Sequence, residues 1–250
     1  DFLHRSMERV NKLVHHVRPV TSSSRPVGSN ATSSQGSLTV YGRRNGANVQ
    51  KVLWFLDELG LEYTQIDAGG DFNLNKNNPE WREINPNGTV PVLVDSEEGF
   101  PMFESNSILR FLARKYQHLM HPLWYYPAKP AAGQIIDQYM DWCTCVITAP
   151  SKVVHFALYR TPEKDRDHKA FDGAVTECHR LWAIFDKHLA TRNFVVGDVF
   201  TIGDIPLGVW AHRYFRAPFD RPSLPNVERW YKTLCSRSAY NKHIASLPIS

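Results

Sequence analysis

Two stretches decide the fold: Asn85-Pro86-Asn87-Gly88-Thr89-Val90-Pro91-Val92-Leu93, and Glu104-Ser105-Asn106-Ser107-Ile108-Leu109-Arg110-Phe111-Leu112 a short way on. Asn-Pro-Asn-Gly is a strong turn signal, because proline presets one φ and glycine supplies a positive one. Val90 to Val94 then reads as a strand with a proline near its start. Phe100 to Phe103 reads as the next strand. Ile108, Leu109, Leu112 and Tyr116 recur at helical spacing, which predicts a helix with Ser105 as its N-cap.

Working upstream, Leu38-Thr39-Val40-Tyr41 is a short β-type run. Val49, Val52, Leu53, Leu56 and Leu59 predict a helix that Gly60 ends, and Tyr63 to Ile66 predicts a second strand. The order is β-α-β, an intervening stretch, then β-β-α. That is a thioredoxin-like arrangement, a small mixed sheet with helices on its faces.

Downstream, three prolines between His121 and Pro130 read as a linker. Beyond it the periodicity is helical. Ile135, Ile136, Tyr139, Trp142 and Val146 mark one helix; Ala174, Val175, Cys178, Leu181, Trp182, Phe185 and Leu189 mark a long amphipathic one. Thr201-x-x-Asp204 is a capping-box pattern ahead of Ile205, Leu207 and Trp210, and Val227, Trp230, Tyr231 and Leu234 mark a last helix. The predicted domains are therefore residues 38–118 (α+β, thioredoxin-like), a linker at 119–130, and an all-α domain at 131–250.

Residues 1–37 read differently. The segment has no acidic residue from Arg9 to Gly36 and is dense in Ser, Thr, Gly and Pro from Thr21 to Ser37. It reads as an unpacked tail, or as an organelle transit segment. Of the net charge of +4, residues 1–36 carry five Arg and Lys against two acids, so about +1 belongs to the rest. That excludes a broad phosphate-binding face and argues against a nucleic-acid partner. No apolar run approaches the length of a membrane span. The four cysteines, Cys143, Cys145, Cys178 and Cys235, are too sparse for a secreted disulfide scaffold and suggest a reducing, cytoplasmic setting, with a mitochondrial or other organelle the alternative. The scattered histidines and Cys143-x-Cys145 form no metal-ligand pattern.

A thioredoxin-like domain followed by an all-helical one resembles the soluble glutathione transferases. Residues 85–93 look like the family's N-P-x-G-x-V-P-x-L segment, and residues 104–112 like its E-S-x-A-I-x-x-Y-L segment. Phe200-Thr201-Ile202-Gly203-Asp204-Ile205 resembles the capping motif of its helical domain. Residues 42–52 resemble the first loop and helix of a bacterial-type subgroup. The likeness covers roughly residues 38–244.

The resemblance implies glutathione as co-substrate with no permanently bound cofactor, small hydrophobic or halogenated electrophiles, a role in detoxification, and a homodimer. Glutathione brings carboxylates, an ammonium and a thiol. The helix start at Ser105 offers free N–H groups and a dipole to a carboxylate, with Glu104 beside it for the ammonium. The resemblance implies a cis bond between Val90 and Pro91 that would turn the Val90 peptide groups toward the ligand backbone, as strand addition does. Thr89 would lie near the glycine end. Where the family often carries a hydroxyl, this chain has Gly46 and Ala47, and no cysteine precedes Cys143. The remaining thiolate donors are Asn48 foremost, then Asn45, Arg43 and Arg44. Alternatively Asn48 is a plain helix cap. The electrophile pocket is expected from Tyr139, Trp142, Trp210 and Tyr214, which otherwise read as core aromatics; Arg213 and Arg216 would suit an acidic electrophile but otherwise read as solvated. The competing functions are a glutathione-binding scaffold or carrier without turnover, and a glutathione-dependent peroxidase.

Overall fold

The structure, a computed structural model, describes residues 37–119 and 130–249. The expected tail and most of the expected linker lie outside these residues. The chain divides into two compact units, one up to Ile108 and one from Leu109.

The first unit is built on a four-stranded sheet: β1 (Leu38–Tyr41), β2 (Tyr63–Ile66), β3 (Val92–Asp95) and β4 (Pro101–Phe103), in the order β2-β1-β3-β4. β1 pairs parallel with β2 and antiparallel with β3, and β3 pairs antiparallel with β4. The parallel pair needs a crossover, and α1 (Ala47–Glu58) supplies it. Every residue of α1 from Val49 to Leu56 is buried, Gln50 and Lys51 included. The third strand begins two residues later than the sequence predicts. Val90 and Pro91 stay out of the ladder, which opens at the Tyr41–Val92 and Val92–Phe103 pairs.

The intervening stretch contains a short helix, α2 (Pro79–Ile84), that the sequence reading left unassigned. Its cues are local: the Asn78 side chain accepts from the Trp81 N–H at 3.1 Å, and Pro79 occupies the first turn. Six residues give too little periodicity to register. The helix places Trp81 and Ile84 in a core with Tyr41, Ile66, Leu74 and Val92. Helix α3 (Ser105–Lys115) follows β4.

The second unit is helical. It contains α4 (Pro130–Trp142), α5 (Thr148–Tyr159), α6 (His168–His188), α7 (Asp204–Arg216) and α8 (Pro225–Cys235). α4 and α5 are joined by one widened helical turn, Cys143–Ile147, in which the Thr148 N–H and hydroxyl both reach the Cys143 carbonyl. Pro150 lies just beyond. Its ring has no N–H and crowds the carbonyl four residues back, and a widened turn at that place gives it room.

α7 is buried from Asp204 through Tyr214. Its start is organised as the Thr201–Asp204 pattern predicts. The Asp204 carboxylate accepts from the Val195 and Thr201 N–H groups, each at 2.9 Å, from the Thr201 hydroxyl at 3.1 Å and from Trp230 Nε1 at 2.9 Å. Full burial still raises its pKa to about 6. Among the described residues no helix is long and apolar enough to cross a membrane.

Candidate functional site

The strand register decides where the site forms. Tyr41 ends β1, Val92 opens β3 and Phe103 ends β4, and the three are lateral neighbours. The segments leaving that edge therefore converge: the loop Gly42–Gly46, the Thr89-Val90-Pro91 segment, and Glu104-Ser105. These are the segments the sequence reading nominated, and the sheet gathers them within the first unit.

The Val90–Pro91 bond is cis. Asn85, buried, holds the approach: its amide donates to the Thr89 carbonyl at 2.9 Å and the Thr89 hydroxyl at 3.3 Å, and its side-chain oxygen accepts from the Asn87 N–H at 3.1 Å. Gly88 has φ +64, and a Cβ there would lie 2.6 Å from the Lys76 Cα, so the turn admits only glycine. Neither the N–H nor the carbonyl of Val90 takes part in a backbone hydrogen bond among the described residues. An extended edge with free peptide groups can accept a strand-like ligand.

Ser105 is not the helix cap. The Glu104 carbonyl receives the first helical bond, from the Ile108 N–H at 3.0 Å, so Glu104 is the capping residue and Ser105 the first of the helix. Glu104 is exposed and has φ +67, a left-handed conformation that costs a non-glycine residue about 1 kcal/mol or more. Ser105 is buried, and its hydroxyl accepts from Lys51 Nζ at 3.4 Å.

Lys51 is the residue the sequence reading missed. It is only 2% exposed, and lysine is almost never buried this far without a partner. Its signal was legible: Val52-Leu53-Trp54-Phe55-Leu56 is apolar on every face, so the lysine just before it has no solvent side to occupy.

At the first helix, Gly46 is the cap, with no side chain to serve, and the first turn holds no acidic residue. Asn48 therefore is not a cap. It is the second helical residue and is exposed. The N–H groups of Ala47, Asn48 and Val49 donate to no backbone carbonyl among the described residues. Free N–H groups at a helix start and a neighbouring amide are suited to an anion such as a thiolate. Arg44 is directed elsewhere, its Nε donating to the Gln65 side chain at 2.9 Å, while Arg43 and Asn45 are half-buried. Tyr41 packs against Trp81, and burial raises its pKa to about 12.

In the helical unit the four aromatic candidates separate. Tyr139 and Trp142 belong to a ring cluster with Phe185, and Tyr139 also meets His188 at 4.3 Å between centroids. Trp210 and Tyr214, both buried, line a cleft between α5, α6 and α7. Arg213 lines it too and is 6% exposed, which corrects its reading as a solvated arginine. α7 has no solvent face at that point. Arg216 is exposed.

A thioredoxin-like unit whose sheet edge gathers a helix start with free N–H groups and an open peptide edge, followed by a helical unit, is the arrangement of a class of glutathione-binding proteins. Family models of the glutathione S-transferase N-terminal and C-terminal domains match residues 36–114 and 169–233. The glutathione S-transferase GstB of Escherichia coli K12 is 36% identical over 213 residues, covering 85% of this chain and all of that one. Glutathione S-transferase 3 of Zea mays is 27% identical, over 85% of this chain and 95% of that one. A crystal structure of the theta class glutathione S-transferase from Xanthomonas axonopodis pv. citri with glutathione bound superposes with a TM-score of 0.79 at 37% identity, covering 86% of this chain and all of the other. The chain belongs to the glutathione S-transferase family.

Proposed function

We propose that the protein binds glutathione at the end of β1 and transfers its thiolate to small hydrophobic or halogenated electrophiles. The observation that carries this reading is the convergence of Ser105 and the unpaired Val90 edge at one end of the sheet. In this reading the γ-glutamyl carboxylate sits at the start of α3, on Ser105 and its neighbouring N–H groups, with Lys51 reinforcing it from below. Glu104 receives the ammonium. The cysteine of glutathione pairs with Val90, held in place by Pro91, and Thr89 lies toward the glycine end.

The sulfur then faces the start of α1. A free thiol has a pKa of about 8.5, and lowering it by about two units takes roughly 2.7 kcal/mol of preference for the anion. One or two hydrogen bonds to a charged acceptor, at about 1.5–3 kcal/mol each, suffice. Asn48 is the side-chain donor, with Asn45 secondary, and the free N–H groups of the first turn act beside it. Trp210 and Tyr214 are the residues of the helical unit proposed to contact the electrophile; Tyr139 and Trp142 belong to that unit's aromatic packing. A homodimer is part of the proposal, and sedimentation velocity tests it.

The decisive experiment pairs glutathione binding by calorimetry with turnover across a panel of chloro-, nitro- and epoxide-bearing electrophiles. Binding with conjugation supports a transferase. Binding without conjugation leaves a scaffold, turnover confined to hydroperoxides leaves a peroxidase, and no binding overturns the reading.

A further inference from the structure

Gln65 lies on the edge strand β2 and is 3% exposed. A side-chain amide buried this far needs partners for both its donors and its acceptor. All are present. Nε2 donates to the Gly42 carbonyl at 2.6 Å and to Asp67 Oδ1 at 3.0 Å, and Oε1 accepts from Arg44 Nε at 2.9 Å. The partners fix which way the amide faces. Turned over, its oxygen would meet a carbonyl and a carboxylate, and its nitrogen a guanidinium.

Two of the three partners, Gly42 and Arg44, belong to the loop Gly42–Gly46 that joins β1 to α1. The loop backbone is tied to the same strand end: the Gly42 N–H donates to the Ile66 carbonyl at 2.8 Å and the Arg43 N–H to the Ala68 carbonyl at 3.0 Å. Directly after the loop comes the first turn of α1, where the sulfur donors are proposed to lie. Gly42 is also where α1 meets the Val90 edge. A Cβ there would lie 2.5 Å from a Val49 methyl and 3.3 Å from the Val90 Cβ. A displaced Gly42 would therefore move the sulfur donors relative to the edge that docks the ligand's cysteine.

We propose that Gln65 is a positioning residue, which holds the Gly42–Gly46 loop so that the first turn of α1 meets the glutathione sulfur. The inference rests on the glutathione reading and adds to it the group that keeps the donors in place. Donors fixed beforehand stabilise an anion with no reorganisation left to do, whereas donors on a slack loop must first be ordered.

Glutathione and S-methylglutathione, which has no thiol proton to lose, are titrated into the full chain. Calorimetry reads affinity, and the ultraviolet absorbance of the thiolate reads the pKa of the bound thiol. Gln65→Met keeps the length of the side chain and removes its three hydrogen bonds. It is expected to raise the bound thiol's pKa by about half a unit or more, roughly a threefold loss in the ratio of thiolate to thiol. S-methylglutathione affinity is expected to stay within about twofold. Asp67→Ala removes one acceptor from Nε2. Loss of a negative charge alone would lower the pKa of a nearby thiol, so the smaller rise expected here separates positioning from simple electrostatics. If Gln65→Met does not fold, Asp67→Ala decides. An unchanged thiol pKa in Gln65→Met, or a loss of S-methylglutathione binding equal to that of glutathione, overturns the proposal. So does an unchanged or lowered pKa in Asp67→Ala where that variant decides. If the natural chain binds no glutathione, or leaves its thiol pKa at the ordinary value, the conjugation reading fails and this one with it. If the natural chain lowers that pKa and Gln65→Met lowers it equally, only the role of Gln65 falls.

Discussion

At the scale of single residues, Lys51 and Asn48 divide the work proposed for glutathione. Lys51 meets Ser105 from inside the unit, so the role proposed for its ammonium is in ligand binding rather than at the sulfur. Lys51→Met is expected to raise KM for glutathione about tenfold, or about 1.4 kcal/mol, with kcat little changed. Lys51→Arg, which keeps the charge, should recover part of that loss; steady-state kinetics at varied glutathione reads both. Asn48 is exposed at the start of α1, so Asn48→Ala should leave stability nearly untouched. It should raise the pKa of the bound thiol, followed by the ultraviolet absorbance of the thiolate; an unchanged titration removes Asn48 from the mechanism. The sequence nominates Asn48 because it is a donor beside the missing hydroxyls at Gly46 and Ala47. That it does not cap the helix was not legible, since the helix start depends on where the Gly46 backbone turns.

At the scale of elements, α7 carries two titrating groups buried with it. His212 is 5% exposed, its Nδ1 is 2.9 Å from the Tyr231 hydroxyl, and its pKa is held down to about 4 by burial first and then by Arg213 and Arg216. The folded pKa lies below the unfolded one, so His212 contributes fully above pH 6.5 and its contribution is lost as pH falls toward 4. Asp204 works in the opposite sense. Its folded value, about 6, lies above the unfolded one, so acid favours its folded form until pH falls below its ordinary range. His212→Gln removes the first effect. Going from pH 7 to pH 5, its stability relative to the natural chain should improve by roughly 2 kcal/mol, measured by urea unfolding at both pH values. Asp204→Ala strips the acceptor from four donors at once and should destabilise by about 3 kcal/mol or more. The Thr201-x-x-Asp204 spacing announced the cap. Val195 and Trp230, which complete the ring of donors, are separated in sequence from the motif and reach it only through packing.

For the molecule as a whole, ligand binding couples to folding. Glutathione at about 100 times its dissociation constant should add about 2.7 kcal/mol of stability, read as a raised melting temperature. Ser105→Ala should erase most of that gain at the same glutathione concentration, because the carboxylate anchor is lost. Family membership is settled for the chain, with a relative 36% identical across 85% of it. In the helical unit, side chains from three helices shape the cleft at Trp210 and Tyr214, the residues proposed to contact the electrophile.

The sequence by itself determined the strands β1 and β2, the helix between them, the turn at Asn85 to Gly88, and the two motifs that meet at the site. Each rests on interactions within a few residues, such as apolar periodicity, a turn residue's φ or a cap, and these are written locally. Only the tertiary structure decided that Ser105 is the group Lys51 meets, that β3 waits until Val92, and that Arg213 is buried rather than solvated. Those outcomes depend on which surfaces exclude water once distant elements pack, and burial is a property of the assembled chain rather than of any window along it.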